Sequence, residues 1–150
     1  MKKNDQHKTC KDLVHKKLEY RLADLKDAHH YFEIKFHSGR ESHPKHKDLE
    51  IYDDYNDYVD QLGLCFDFVQ AEPSEGRPCG YWRWQLSTGG PGDEFRIFTD
   101  YRKNIHEVQY VYLDWYDAAT AKVKDIPGYL LQALEYFLEC SSHPDEDYYG

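Results

Sequence analysis

Apolar residues recur at three-, four- and seven-residue steps across residues 5–37, at Cys10, Val14, Leu18, Leu22, Leu25, Phe32 and Phe36. That spacing gathers them on one side of a helix. No Pro or Gly interrupts the run before Gly39, which stands where a helix is capped. After a polar loop with Pro44, residues 47–62 predict a second helix. Tyr52, Tyr55, Val59 and Leu62 fall on one face, and Glu50, Asp53, Asp54, Asp57 and Asp60 on the other. The period then changes to two. Leu64, Phe66 and Phe68 alternate with Cys65, Asp67 and Val69. Trp82, Trp84 and Leu86 alternate with Tyr81, Arg83 and Gln85, and Val108, Tyr110 and Tyr112 with Gln109, Val111 and Leu113. A further strand is expected at residues 94–99, after a turn made by Thr88-Gly-Gly-Pro-Gly-Asp93. Short connections imply an antiparallel meander. A last helix at residues 127–140 opens on Pro127 and carries Tyr129, Leu130, Ala133, Leu134 and Phe137 on a wide apolar face. The expected order is ααββββα. This is an α+β fold, a four-stranded antiparallel β-meander packed by helices, with a long N-terminal helix. The polar, acidic tail at residues 141–150 is expected to be mobile.

At 150 residues the chain suits a single domain, 1–150, with a real core. A hydrophobic fraction of 40% and an aromatic fraction of 16% exclude a disordered chain. No apolar run approaches the roughly 18 residues of a membrane span. The opening Met1-Lys-Lys-Asn-Asp-Gln-His lacks the apolar segment of a signal peptide, so a cytoplasmic location is expected. Cys10, Cys65, Cys79 and Cys140 form no CxxC pair and read as reduced thiols. The net charge of −9 is unevenly spread. Residues 1–48 carry 12 Lys+Arg against 8 Asp+Glu, whereas residues 49–150 carry 7 against 20. A basic N-terminal helix, 1–39, thus precedes an acidic α+β body, 47–140. Such a body repels nucleic acid and attracts basic proteins.

Several groups of residues invite a chemical reading. Gly89-Gly-Pro-Gly-Asp-Glu-Phe95 is close to the Gly-Gly-Asp-Glu-Phe signature of diguanylate cyclases, but Pro91 and Gly92 separate the glycines from Asp93 and Glu94. The insertion changes the turn, so the structural reading, a hairpin whose glycines supply positive φ, is preferred. The stripe Glu50, Asp53, Asp54, Asp57 and Asp60 contains no Lys or Arg. Like charges one turn apart weaken a helix by a few tenths of a kcal/mol per pair, roughly. The stripe reads either as a solvated face or as a phosphate-like row for a nucleic-acid-binding partner. It lacks EF-hand spacing and the EF-hand glycine. His29, His30, His37, His43, His46 and His106 read as surface histidines. His43 and His46 have a spacing seen at some metal sites, but no CxxC or HExxH motif accompanies them. Asp114-Trp-Tyr-Asp117 closes the last expected strand and suits either a ligand-binding aromatic face or a strand-end cap. Cys79 with His106 would make a thiol and base if the fold joined them. There is no GxSxG, P-loop or dinucleotide fingerprint. No catalytic, cofactor or metal residue is therefore assigned.

The run Gly80-Tyr-Trp-Arg-Trp-Gln-Leu-Ser-Thr-Gly-Gly-Pro-Gly-Asp-Glu-Phe-Arg-Ile-Phe98, followed by Val111-Tyr-Leu-Asp-Trp-Tyr-Asp117, resembles a family of small phage and mobile-element proteins. Those carry a GYxRxQLSxGGPxDEFRF-like stretch and then a FLDWxDGA-like segment. The resemblance covers roughly residues 62–120. This chain departs from it at Thr88, where an aromatic is expected, and at Ala118-Ala119, where Gly-Ala is expected. The resemblance implies an accessory protein acting in a host bacterial cell against host defence, of the anti-CRISPR or antirestriction type. With the charge pattern, the expected function is a non-enzymatic inhibitor of a defence nuclease complex. Its partner would be a basic nucleic-acid-binding protein or ribonucleoprotein complex. Glu50, Asp53, Asp54, Asp57 and Asp60 would bind it, extended by Asp93, Glu94, Asp114 and Asp117. The acidic body would not bind nucleic acid directly. The N-terminal helix would pack on the fold, form a homodimer or touch guide RNA. An immunity protein for a nuclease toxin shares these electrostatics. An enzyme acting on a nucleotide or small ligand near Asp93, Glu94 and Asp114 is the remaining alternative.

Overall fold

The structure is a computed structural model that describes residues 8–38, 44–144 and 146–149. Three α-helices are described: α1 (Cys10–Ser38), α2 (Tyr55–Gln61) and α3 (Gly128–Cys140). Five strands make one antiparallel meander: β1 (Cys65–Val69), β2 (Tyr81–Ser87), β3 (Gly92–Thr99), β4 (Ile105–Asp114) and β5 (Asp117–Lys122), hydrogen-bonded in chain order. The fold is α+β as the periodicity predicts, with one strand more. β5 escaped because Ala118, Ala119 and Ala121 are poor strand formers. The turn that starts it, Trp115-Tyr116, contains no Gly or Asn, although Trp115 has φ 49°.

Helix α1 begins with a reciprocal cap. The Asp12 carboxylate accepts from the Thr9 amide at 3.0 Å and from the Thr9 hydroxyl at 2.9 Å. Cys10, Val14, Leu18, Leu25, Ala28, Tyr31 and Phe32 are buried along one side, and the helix runs through His29-His30 without a break. Expected start positions at residues 5–7 lie outside the described residues. Phe36 is 86% exposed, not part of the apolar face. At 29 residues the helix is about 43 Å long, whereas the ten-residue β4 spans about 33 Å.

Alternation sorts the sheet into two faces. Phe66, Trp84, Phe95, Tyr110 and Ala121 form one cross-strand row under the helices, and Trp82, Ile97 and Val108 the next. Phe137 of α3 stacks on Phe66 at 4.8 Å and tilts against Trp84 at 5.1 Å. Leu130, Ala133, Leu134 and Leu138 complete the same core. The Lys103 ammonium donates to the Leu138 carbonyl at 2.6 Å, placing a cation at the negative end of α3. On the other face, Asp67, Arg83, Arg96, Gln109 and Lys122 run across all five strands. Arg83 pairs with Asp67, Arg96 with Glu94 and Lys122 with Glu107.

Two more expectations are corrected. Residues 47–62 are not one helix: a 3-10 turn, Pro44–Leu49, and a bend precede the short α2. The Asp54 side chain caps α2 by accepting from the Asp57 amide at 2.7 Å, and Asp57 accepts from the Asp53 amide at 2.9 Å. Short acidic side chains that bond nearby backbone start a helix here rather than continue one. The end of the chain is also docked. The Tyr148 carbonyl accepts from the Ala71 amide at 2.7 Å, the Tyr149 carbonyl from the Gly80 amide at 3.0 Å, and the Tyr149 ring lies 4.7 Å from that of Phe68. Asp145 and Gly150 lie outside the described residues.

Candidate acidic interface

The five carboxylates expected to line a single helix face are distributed over a turn, a bend and α2. Glu50 and Asp53 precede α2, Asp54 caps it, and Asp57 and Asp60 lie within it. Asp57 is occupied locally, accepting also from Gln61 Nε2 at 2.8 Å. The Tyr55 hydroxyl donates to the Tyr129 carbonyl at 2.6 Å and ties α2 to α3. That contact adds two carboxylates absent from the sequence-based set. Glu135 and Glu139 lie one turn apart on the exposed side of α3. Burial raises the Tyr136 hydroxyl, and nearby Asp60 and Asp54 raise it further, so α2's acids act electrostatically on α3. Residues 48–76 and 125–150 contain no Lys or Arg. The α2 and α3 surface therefore presents Asp53, Asp54, Asp57, Asp60, Glu135 and Glu139 with no cation from either helix. The available clue was the absence of Lys and Arg in both segments. Their adjacency is a tertiary fact.

Asp93 and Glu94 do not extend this surface. Each is 4% exposed, and as neighbours in a strand they point to opposite faces of the sheet. Asp93 is gripped beneath α1: Arg21 donates Nε at 2.7 Å and Nη2 at 2.9 Å, the Tyr110 hydroxyl donates at 2.6 Å, and Ser87 donates as well. Burial pushes the Asp93 carboxyl up, but the bonds from Arg21, Ser87 and Tyr110 outweigh it, leaving the group below its ordinary range. Glu94 accepts from Arg96 Nε at 2.8 Å on the far face. This geometry suits structural ion pairs rather than a shared acid–base site. Asp117 likewise serves the fold, accepting from the Cys10 amide at 2.8 Å at the start of α1. Asp114 is half-buried opposite Asp117 at the same hairpin.

Cys79 and His106 line the same open cavity of about 650 Å³, with Asp100, Tyr101, Glu107 and Tyr149, which by itself does not set the thiol against the imidazole. His29 packs edge-on against Tyr55 at 4.9 Å, and His37 lies 3.4 Å from Glu33. His43 lies outside the described residues, as does the side chain of His46. Among the described residues no group of three or more His, Cys, Asp or Glu is arranged to hold a metal ion. Nor is any described helix long and apolar enough to cross a membrane. No protein-family model, curated protein or solved structure matches this chain.

Proposed function

We propose that the protein is a non-enzymatic binding protein whose α2 and α3 surface occupies a basic, nucleic-acid-binding site on a partner protein or ribonucleoprotein complex. The carrying observation is the joining of two segments without Lys or Arg into one acidic surface. Carboxylates gathered from segments that carry no Lys or Arg of their own repel one another, and a basic partner relieves that repulsion. The resemblance to small phage proteins makes a bacterial defence nuclease complex the partner class, with the bound protein acting as its inhibitor. A nuclease toxin bound as its immunity partner would use the same surface.

The test follows from which acids are free of local duties. Reversing Asp54 or Asp57 would remove the cap of α2, so the informative variant is Asp60→Lys with Glu135→Lys and Glu139→Lys, all exposed. Immobilised wild type is expected to capture a basic nucleic-acid-binding protein from bacterial lysate, and added duplex DNA is expected to displace it. The triple variant, with unchanged circular dichroism, is expected to lose capture. Capture that DNA does not displace, or that survives the reversal, refutes the reading. The identity of the captured protein separates a defence complex from a toxin.

A further inference from the structure

We propose that β5 is a self-association edge, pairing antiparallel with β5 of a second copy about a two-fold axis at Thr120 to join two sheets into one. The inference does not depend on the acidic interface. β5 is the terminal strand of the sheet, and its register with β4 runs unbroken from Asp117 to Lys122. The Val123 amide donates to the Val108 carbonyl at 2.9 Å, extending that register by one residue. In an antiparallel ladder this parity turns the odd-numbered residues of β5 toward β4. The N–H and C=O groups of Ala118, Thr120 and Lys122 therefore point away from the sheet. Among the described residues no other backbone group hydrogen-bonds to them, although α1 packs against β5.

Edge strands are ordinarily blunted by proline, a bulge, a charge near the middle or a covering segment. Between Asp117 and Lys122, β5 has only Ala118, Ala119, Thr120 and Ala121, and its pairing with β4 has no register shift. The Asp117 carboxylate is already committed to the Cys10 amide.

The strand is also complementary to itself. With Thr120 on the dyad, Thr120 faces Thr120, Ala118 faces Lys122, and Tyr116 comes across from Lys124. Tyr116 is fully exposed and Lys124 is exposed, so this register seats an ammonium against a free phenol ring at each end. Lys122 keeps Glu107 of its own chain at 2.9 Å. No like charges meet. Sliding the strands so that Lys122 faces Lys122 would lose both features. A second copy thus supplies every group that this edge lacks.

Sedimentation velocity and amide hydrogen exchange between about 2 and 200 μM test the proposal, since weak dimers fall in that range. The expected result is a rise from 17.9 kDa to twice that mass, with concentration-dependent protection of the Ala118, Thr120 and Lys122 amides. Thr120→Lys sets two ammonium groups together at the axis and should weaken the dimer at least about tenfold. Thr120→Pro removes an outward-facing donor without removing a bond to β4 and should do the same. A monomer at every concentration overturns the proposal. So does full protection of those three amides at the lowest concentration, which would mean that the edge is covered within one chain. A dimer indifferent to both variants also overturns it, since its interface lies elsewhere.

Discussion

Asp93 offers the sharpest test of how the sheet is joined to its long helix. Asp93→Asn keeps the shape of the side chain but removes its charge and sets an amide donor where an acceptor stood. Arg21 then loses two charge-assisted bonds, while Ser87 and Tyr110 compete for one oxygen. Breaking a buried pair from one side costs about 3–5 kcal/mol. The Arg21 side chain retains 28% of its exposure, so water compensates part of the loss and about 2–3 kcal/mol is expected. With a urea slope of about 2 kcal/mol/M, the midpoint should fall by roughly 1–1.5 M with the slope unchanged. The pH dependence follows from the direction of the shift. Because the folded carboxyl titrates below its ordinary 3.8, its contribution is complete above that value and is lost as pH falls through the folded pKa. The penalty of Asp93→Asn should therefore be flat from about pH 5 to 7 and shrink below about pH 4. A penalty under about 0.5 kcal/mol at pH 7, or one equally large at pH 3, would refute this account. Replacing both partners, with Arg21→Met and Asp93→Leu, should cost less than the two single changes together.

Three further outcomes are expected. The Tyr58 hydroxyl is pushed up to about 12, by burial first and then by Asp24, Tyr52 and Asp48, so its contribution is complete below 10.0 and is lost as pH rises toward 12; Tyr58→Phe should reduce the alkaline loss of stability in denaturation curves from pH 9 to 12, and an unchanged slope would contradict the assignment. At Gly80 a Cβ would lie 2.3 Å from the Tyr148 carbonyl and 2.6 Å from the Phe68 ring, so Gly80→Ala should cost about 1–2 kcal/mol and speed exchange of the Ala71 amide, whereas wild-type exchange there would show that the terminal turn does not depend on this contact. Asp54→Ala removes the α2 cap and should lower stability by about 1 kcal/mol in urea titrations, with Asp54→Asn close to wild type; equal losses for both would point to the charge of Asp54 rather than its cap.

The elements with many residues of one period were legible in the sequence. Apolar residues at helical spacing across a long run free of Pro and Gly mark α1 as a helix, and alternation in β2 and β4 states which residues face a core. The short elements were not legible, because for them local bonding outweighs periodicity. Asp54 and Asp57 turn a helical pattern into a bend and a cap, and β5 is a strand only because β4 offers it a ladder. The candidate site divides in the same way. Charge imbalance is a property of composition, so an acidic body was evident from the residues alone. Which acids are available is a property of packing: Asp93 and Glu94 are buried against Arg21 and Arg96, and Asp117 is tied to the start of α1. Glu135 and Glu139 join the acids of α2 because α3 folds back beside it. Local sequence thus determined the main periodic elements and the sign of the surface. Only tertiary structure decided which carboxylates meet solvent, because a charge is exposed or neutralised by residues far from it in the chain.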